Sequence, residues 1–279
     1  MLEALAAFAK LMLYAGALSG AGAAFAWASL GQRLGPVGKF APHIVASGAG
    51  LTLLASFATI LILIQRLGGE FSPPTISAVI GGPTGFAAGL QLAGAILLLA
   101  FARGQGWAWI ARVTGGGLVV ASFAVNGHAA AVDLVSGIVA CVHVLATAWW
   151  LGALLLLRPA CRQLTGAALD QLVHAFSRIA SAVITNLLLA GVLLILTLVD
   201  FSHTPWLSPY GQTLAIKVSL ATLVLGLALY NKVRLAPRLA DDGGAAAITL
   251  RRSITAEIGL IAAVVSATSF LTTYTSPHT

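Results

Sequence analysis

Charge is what this chain has least of. Only 8% of its 279 residues are charged, against about 25% in an ordinary soluble domain. Hydrophobic residues make up 59%, and the mean hydropathy is +0.97. So few charges cannot cover that much apolar surface in water, which excludes a soluble globular protein. The same composition excludes a disordered chain, which is poor in hydrophobic residues. Two cysteines exclude a disulfide scaffold. A phosphate-binding loop of the type Gly-x-x-x-x-Gly-Lys is also missing. Any energy input must then come from a gradient or a partner. A membrane β-barrel would alternate in segments of about 10 residues, whereas the apolar runs here are continuous.

What is present is a series of such runs, each near the roughly 20 residues a membrane span needs. The reading is an all-α, polytopic transmembrane helical bundle, one domain over 1–279. About eight spans are expected at approximately 6–29, 43–64, 86–102, 107–126, 134–157, 179–199, 213–230 and 254–275. The first run follows Lys10 and is longer than a signal-peptide core, so it is read as a span. Breakers punctuate the loops: Gly35-Pro36, Pro42, Pro73-Pro74, Gly81-Gly82-Pro83, Pro205, Pro209 and Asp241 to Gly244. No loop is long enough to house a separate soluble domain.

The net charge of +7 fits topology better than nucleic acid, which is not an expected partner. Eleven Lys and Arg residues fall in the odd loops: Arg33, Lys39, Arg103, Arg158, Arg162, Arg178, Lys232, Arg234, Arg238, Arg251 and Arg252. Arg66 stands alone in the even ones. The positive-inside bias puts the odd loops in the cytoplasm and both termini outside.

That orientation sorts the six histidines. His128, His203 and His278 fall on the outer side, and His143 lies about two turns inside the fifth span from its outer end. His43 and His174 are cytoplasmic. Asp133 and Asp200 are outer-side carboxylates. Imidazoles beside carboxylates on one face suit a transition metal such as copper, zinc, iron or nickel. A histidine inside a span is itself a candidate functional group. A short loop makes the fourth and fifth helices antiparallel neighbours, so His128 and His143 can meet near the outer boundary. His203 ranks third, with Asp133 and Asp200 as supporting groups. Because the ring nitrogens must be unprotonated, metal affinity is expected to fall as pH drops through about 6.5.

Cys141 and His143 are not a joint motif, because residues two apart on a helix point about 200° apart. Cys141 reads as a small packing residue. His143, Thr147 and Trp150 do share a face. That stripe either lines a pathway or is a packing seam in which Thr147 bonds its own backbone. Lys217 is expected to snorkel or to pair with Asp200 or Asp133. Glu257 is expected to pair locally with Arg251 and Arg252, and Arg112 to snorkel or pair with Glu257. Gly16, Gly20, Gly22 and Gly115 to Gly117 are expected to allow close helix packing.

The stretch Cys141-Val-His143 through Trp149-Trp150-Leu-Gly152 resembles a span of the bacterial copper resistance protein D family. Asn126-Gly127-His128-Ala129 is similar to its Gly-His-Ala segment. Phe176-Ser177-Arg178, Tyr210-Gly211, Lys217, Tyr230-Asn231-Lys232 and Arg251 through Glu257 resemble its later landmarks. The resemblance covers roughly residues 120–275. It implies copper as the bound ion, a multi-pass protein of the bacterial inner membrane surrounded by lipid, and a periplasmic copper-carrying partner. The function it implies is uptake of copper from the periplasm and passage across the membrane, without catalysis. One departure is the methionine count of two, Met1 and Met12. A soft Cu(I) ladder would use Met and Cys, so Cu(II) or His-bound Cu(I) fits better. Two alternatives remain. Some relatives resemble haem-binding membrane oxidoreductases, which need axial ligands, and a copper sensor or scaffold would bind without transport.

Overall fold

The computed structural model describes residues 1–69, 71–199, 208–239 and 243–274. They form helices and short connections, with no strand among the described residues. The helices are α1 (Leu2–Leu30), α2 (Ala41–Arg66), α3 (Pro73–Gly81), α4 (Pro83–Phe101) and α5 (Ala108–Val125). There follow α6 (His128–Val132), α7 (Leu134–Gln163), α8 (Gly166–Leu198), α9 (Pro209–Tyr230) and α10 (Gly243–Tyr274). Seven stretches among the described residues are long and apolar enough to cross a membrane. The first, Leu2–Arg66, is not one rod. A 3-10 segment, Gly31–Phe40, interrupts it, and Gly35 takes φ 49°, outside the helical region. A residue with a Cβ would be strained there. The chain therefore doubles back, and α1 and α2 pack as an antiparallel pair.

Several helices outrun the apolar runs. α8 begins at Gly166 and α10 at Gly243, and α7 passes through Pro159 to Gln163. The added turns carry Arg158, Arg162, Asp170, His174, Arg251 and Arg252. Charged residues can continue a helix past the lipid, because its hydrogen bonds are internal. The Pro73-Pro74 loop forms α3, whose N-cap Ser72 accepts from the Thr75 N–H; Pro suits the first helical turn.

Close packing follows the small residues. α1 is central: it packs on α2, α5, α7 and α10. A Cβ on Gly22 would collide with the Ala148 carbonyl of α7, and one on Gly152 with the Gly22 backbone. A Cβ on Gly16 would stand 2.7 Å from the Thr52 nitrogen of α2. Gly94 and Gly115 play the same part between α4 and α5, but Gly117 faces open space. Without a hydrophobic force between helices in lipid, such approaches are what van der Waals association requires. A buried polar chain adds to it: Ser56 donates to Gln91 Oε1 at 2.7 Å, and Gln91 Nε2 to Ser122 at 3.1 Å. It ties α2, α4 and α5 together.

The second half is looser. α8 packs on α7 and α9 on α10, but α8 and α9 hardly touch each other. A crevice between them looks onto one face of α7.

Candidate functional site

His143 and Trp150 lie on that face of α7. The imidazole packs beside Gly191 of α8: a Cβ there would be in ordinary contact, 3.5 Å from His143 Cε1 and 3.6 Å from Nδ1. His143 Nδ1 is buried and makes no hydrogen bond of normal geometry, while the Leu187 backbone of α8 lies beside the ring. Lys217 of α9 acts electrostatically on the ring. Thr147 Oγ1 donates to the His143 carbonyl at 2.8 Å. Of the two readings of Thr147, the backbone-bonded one is observed.

Seven residues further on, about 10.5 Å along the helix, Trp150 is 4% exposed. Here α7, α8, α9, α10 and a π-helical segment, Asn231–Leu235, enclose a cavity of about 60 Å³. Glu257 of α10, 2% exposed, and Asn231, 8% exposed, form its polar wall. Asn231 Nδ2 donates to Glu257 Oε1. Asn231 Oδ1 and Trp150 Nε1 are buried without partners, although the indole lies beside the Glu257 carboxyl. Ser181 and Lys232 sit at the mouth, joined by a 2.8 Å bond from Lys232 Nζ to Ser181 Oγ. The Asn231–Trp150–Glu257 grouping was not expected as a unit. The signal available was Asn231, an uncharged amide at the end of a span, 26 residues before an intramembrane carboxylate.

Three pairings expected from the sequence are not formed. Glu257 bonds Asn231 and makes no ion pair with Arg251, Arg252 or Arg112. Arg112 turns instead to the end of α4, donating to the Phe101 carbonyl at 3.0 Å and the Gly104 carbonyl at 2.8 Å. Its guanidinium stands 4.0 Å from the Trp27 ring centre. Planar guanidinium geometry can serve two carbonyls and an aromatic face at once. Lys217 does not pair with Asp133. Cys141 Sγ approaches the Val120 carbonyl at 3.8 Å, a packing contact as expected.

Of the other candidate ligands, His128 opens α6 after Gly127, whose φ is 110°; its side chain lies outside the described part. α6 packs on α7 and α8. Asp133 caps α7: Oδ1 accepts from the Ser136 N–H at 2.6 Å. That bond, together with one from the Ser136 hydroxyl, holds the Asp133 carboxyl below the usual carboxylate range. Asp200, His203 and His278 lie outside the described residues. Among the described residues no three His, Cys, Asp or Glu side chains converge as a metal cluster.

The fold defines a multi-pass helical membrane protein with a polar crevice in its second half. In that half, residues 170–271 match the model of the copper resistance protein D family. The match starts at Asp170 in α8 and ends in α10, so it holds Lys217, Asn231 and Glu257, with His128 and His143 upstream of it. Neither the curated proteins nor the solved structures gave a match. The match makes the second half of the chain similar to copper resistance protein D.

Proposed function

We propose that the protein is an inner-membrane copper-binding protein that takes up copper from the periplasm and passes it across the membrane. One observation carries the reading. Upstream of the matched domain, His143 presents a buried ring nitrogen that makes no hydrogen bond of normal geometry, with the Leu187 backbone of α8 beside the ring. A neutral imidazole nitrogen is a good copper ligand. His128 and His203 are the proposed companions, with Asp133 and Asp200 nearest to them in sequence. Thr147 and Trp150 line the path below rather than ligating. Lys217 opposes the cation and raises its energy beside His143, which favours onward movement over tight storage. A periplasmic copper-carrying protein would deliver the ion.

Eight spans with both termini outside are part of this reading. Two contacts support an even number of crossings. Arg66 pairs with Glu3 at 2.6 Å, and Lys10 Nζ donates to the Thr272 carbonyl at 2.8 Å. The first sets the end of α2 beside the start of α1, and the second brings the end of α10 to the same end of the bundle. A b-type haem in a membrane helix bundle ordinarily takes two axial histidines on facing helices. Among the described residues no second histidine stands opposite His143, because His43 and His174 bond their own helices at exposed positions.

The test is copper titration of purified variants. His143→Ala and His128→Ala should each weaken binding at least tenfold, about 1.4 kcal/mol, while His174→Ala leaves it unchanged. Wild-type affinity in both outer-side variants would remove the site. Copper uptake into proteoliposomes then separates transport from sensing.

A further inference from the structure

The cavity below Trp150 has a chemistry of its own. Its donors and acceptors are a carboxylate, an amide oxygen, an indole N–H and hydroxyls. Soft copper ligands are missing from its walls. Glu257 is 2% exposed and has no cationic partner among the described residues. The only other titratable group on the lining is Lys232, from the π-helical segment, and its ammonium is engaged by Ser181. α7 contributes Trp150, α8 contributes Ser177 and Ser181, and α9 contributes Ala228 to the same walls. An ionised carboxylate held in apolar surroundings without a counter-charge is costly, and such a group neutralises by taking a proton.

The unpartnered atoms point the same way. Trp150 Nε1, beside the Glu257 carboxyl, makes no bond of normal geometry, and Asn231 Oδ1 is an acceptor without a donor. Water answers both, accepting from the indole and donating to the amide. A water needs roughly 10–15 Å³ of such space and two to four polar partners. The cavity, at about 60 Å³, has room for more than one. Its far end is Lys232, which is exposed, so water inside is continuous with the surface there. The π-helical turn at Asn231–Leu235 places Asn231 against Glu257; such turns occur often at functional sites.

We infer that Glu257 is a proton-binding site, loaded and unloaded through water that enters the crevice between α8 and α9 at Lys232. The proton goes onto a carboxylate oxygen from a water molecule and leaves by the same route. Asn231 holds the ionised form by its N–H, and Trp150 marks the inner end of the water. The inference concerns metal-free protein and stands or falls apart from copper binding.

Infrared difference spectroscopy across a pH titration, on metal-free protein in lipid vesicles, tests it. A carboxylic C=O band should appear and vanish reversibly with pH, shift in D2O, and be lost in Glu257→Gln. In Asn231→Leu the carboxylate loses its one amide donor. The same band should then titrate with proton affinity raised on the order of tenfold. If wild-type protein gives no titrating band of this kind, or the band survives in Glu257→Gln, the inference is wrong. If Glu257→Gln does not fold, the Asn231→Leu shift decides, and an unmoved midpoint rejects the assignment.

Discussion

Arg112 and Lys217 meet the same difficulty, a cation within an apolar helix, in opposite ways. Arg112 reaches two carbonyls at the end of α4 and the face of Trp27, so its charge is spent on helix-end oxygens that would otherwise be unpaired. Lys217 has no hydrogen bond or ion pair among the described residues and lies near enough to His143 to act on its ring electrostatically. An uncompensated cation beside the proposed ligand His143 would weaken metal binding by simple repulsion. Lys217→Met should therefore tighten copper binding, by on the order of tenfold, without destabilising the fold. Weaker binding in that variant would mean that Lys217 supports the site through a contact other than repulsion. Thr147 and Trp150 were legible as neighbours of His143, because helical spacing alone puts positions i, i+4 and i+7 on one face. The partner of Glu257 was not, because Asn231 comes from another helix end, and only packing brings the two together.

At the level of elements, contact distance governs which glycines matter. Gly22→Ala should push α1 off α7, since the new methyl meets the Ala148 carbonyl; overpacking of this kind costs roughly 1–3 kcal/mol or more. Gly117→Ala meets nothing within 4 Å and should stabilise α5 by up to about 1 kcal/mol through helix propensity. Thermal denaturation in detergent reads both, and equal melting temperatures would refute the contrast. Sequence position alone could not separate these two glycines, since both sit inside spans. The start of α7 is set by charge. The Asp133 carboxylate accepts from Ser136, and its pKa is lowered by those bonds. Its stabilising effect is thus complete above the ordinary aspartate pKa of about 3.9 and disappears as pH falls through the lower folded value. Hydrogen exchange at Ser136 should lose protection over that acidic window in the wild type. Asp133→Asn should keep the cap and show no such window, whereas an unchanged pH profile would contradict the role given to the charge.

For the whole molecule, the distribution of Lys and Arg and the meeting of both chain ends at one end of the bundle bear on the same question. A reporter fused after Thr279 should behave as exported. A cytoplasmic signal would reject the eight-span arrangement or its orientation. The asymmetry between halves has a consequence for dynamics. The α1, α2, α4 and α5 side is locked by glycine contacts and the Gln91 chain, while α8 packs mainly on α7 and α9 mainly on α10. Elements with few buried contacts open first, and these two form the walls of the crevice.

Composition and apolar periodicity by themselves determined that this chain is a multi-pass helical bundle. Lipid leaves a helix as one of only two ways to satisfy a backbone, and continuous apolar runs admit no barrel. Local spacing determined the His143–Thr147–Trp150 face and the packing role of Cys141. The partners of the buried charges were decided only by the tertiary structure. Within lipid a charge seeks whatever polar group lies within reach, and that depends on helix rotation and depth. For this reason Arg112 found the end of α4 rather than Glu257, and Glu257 found Asn231 rather than the neighbouring arginines. The polar cavity was decided at the same level, because it exists only where α8 and α9 fail to meet.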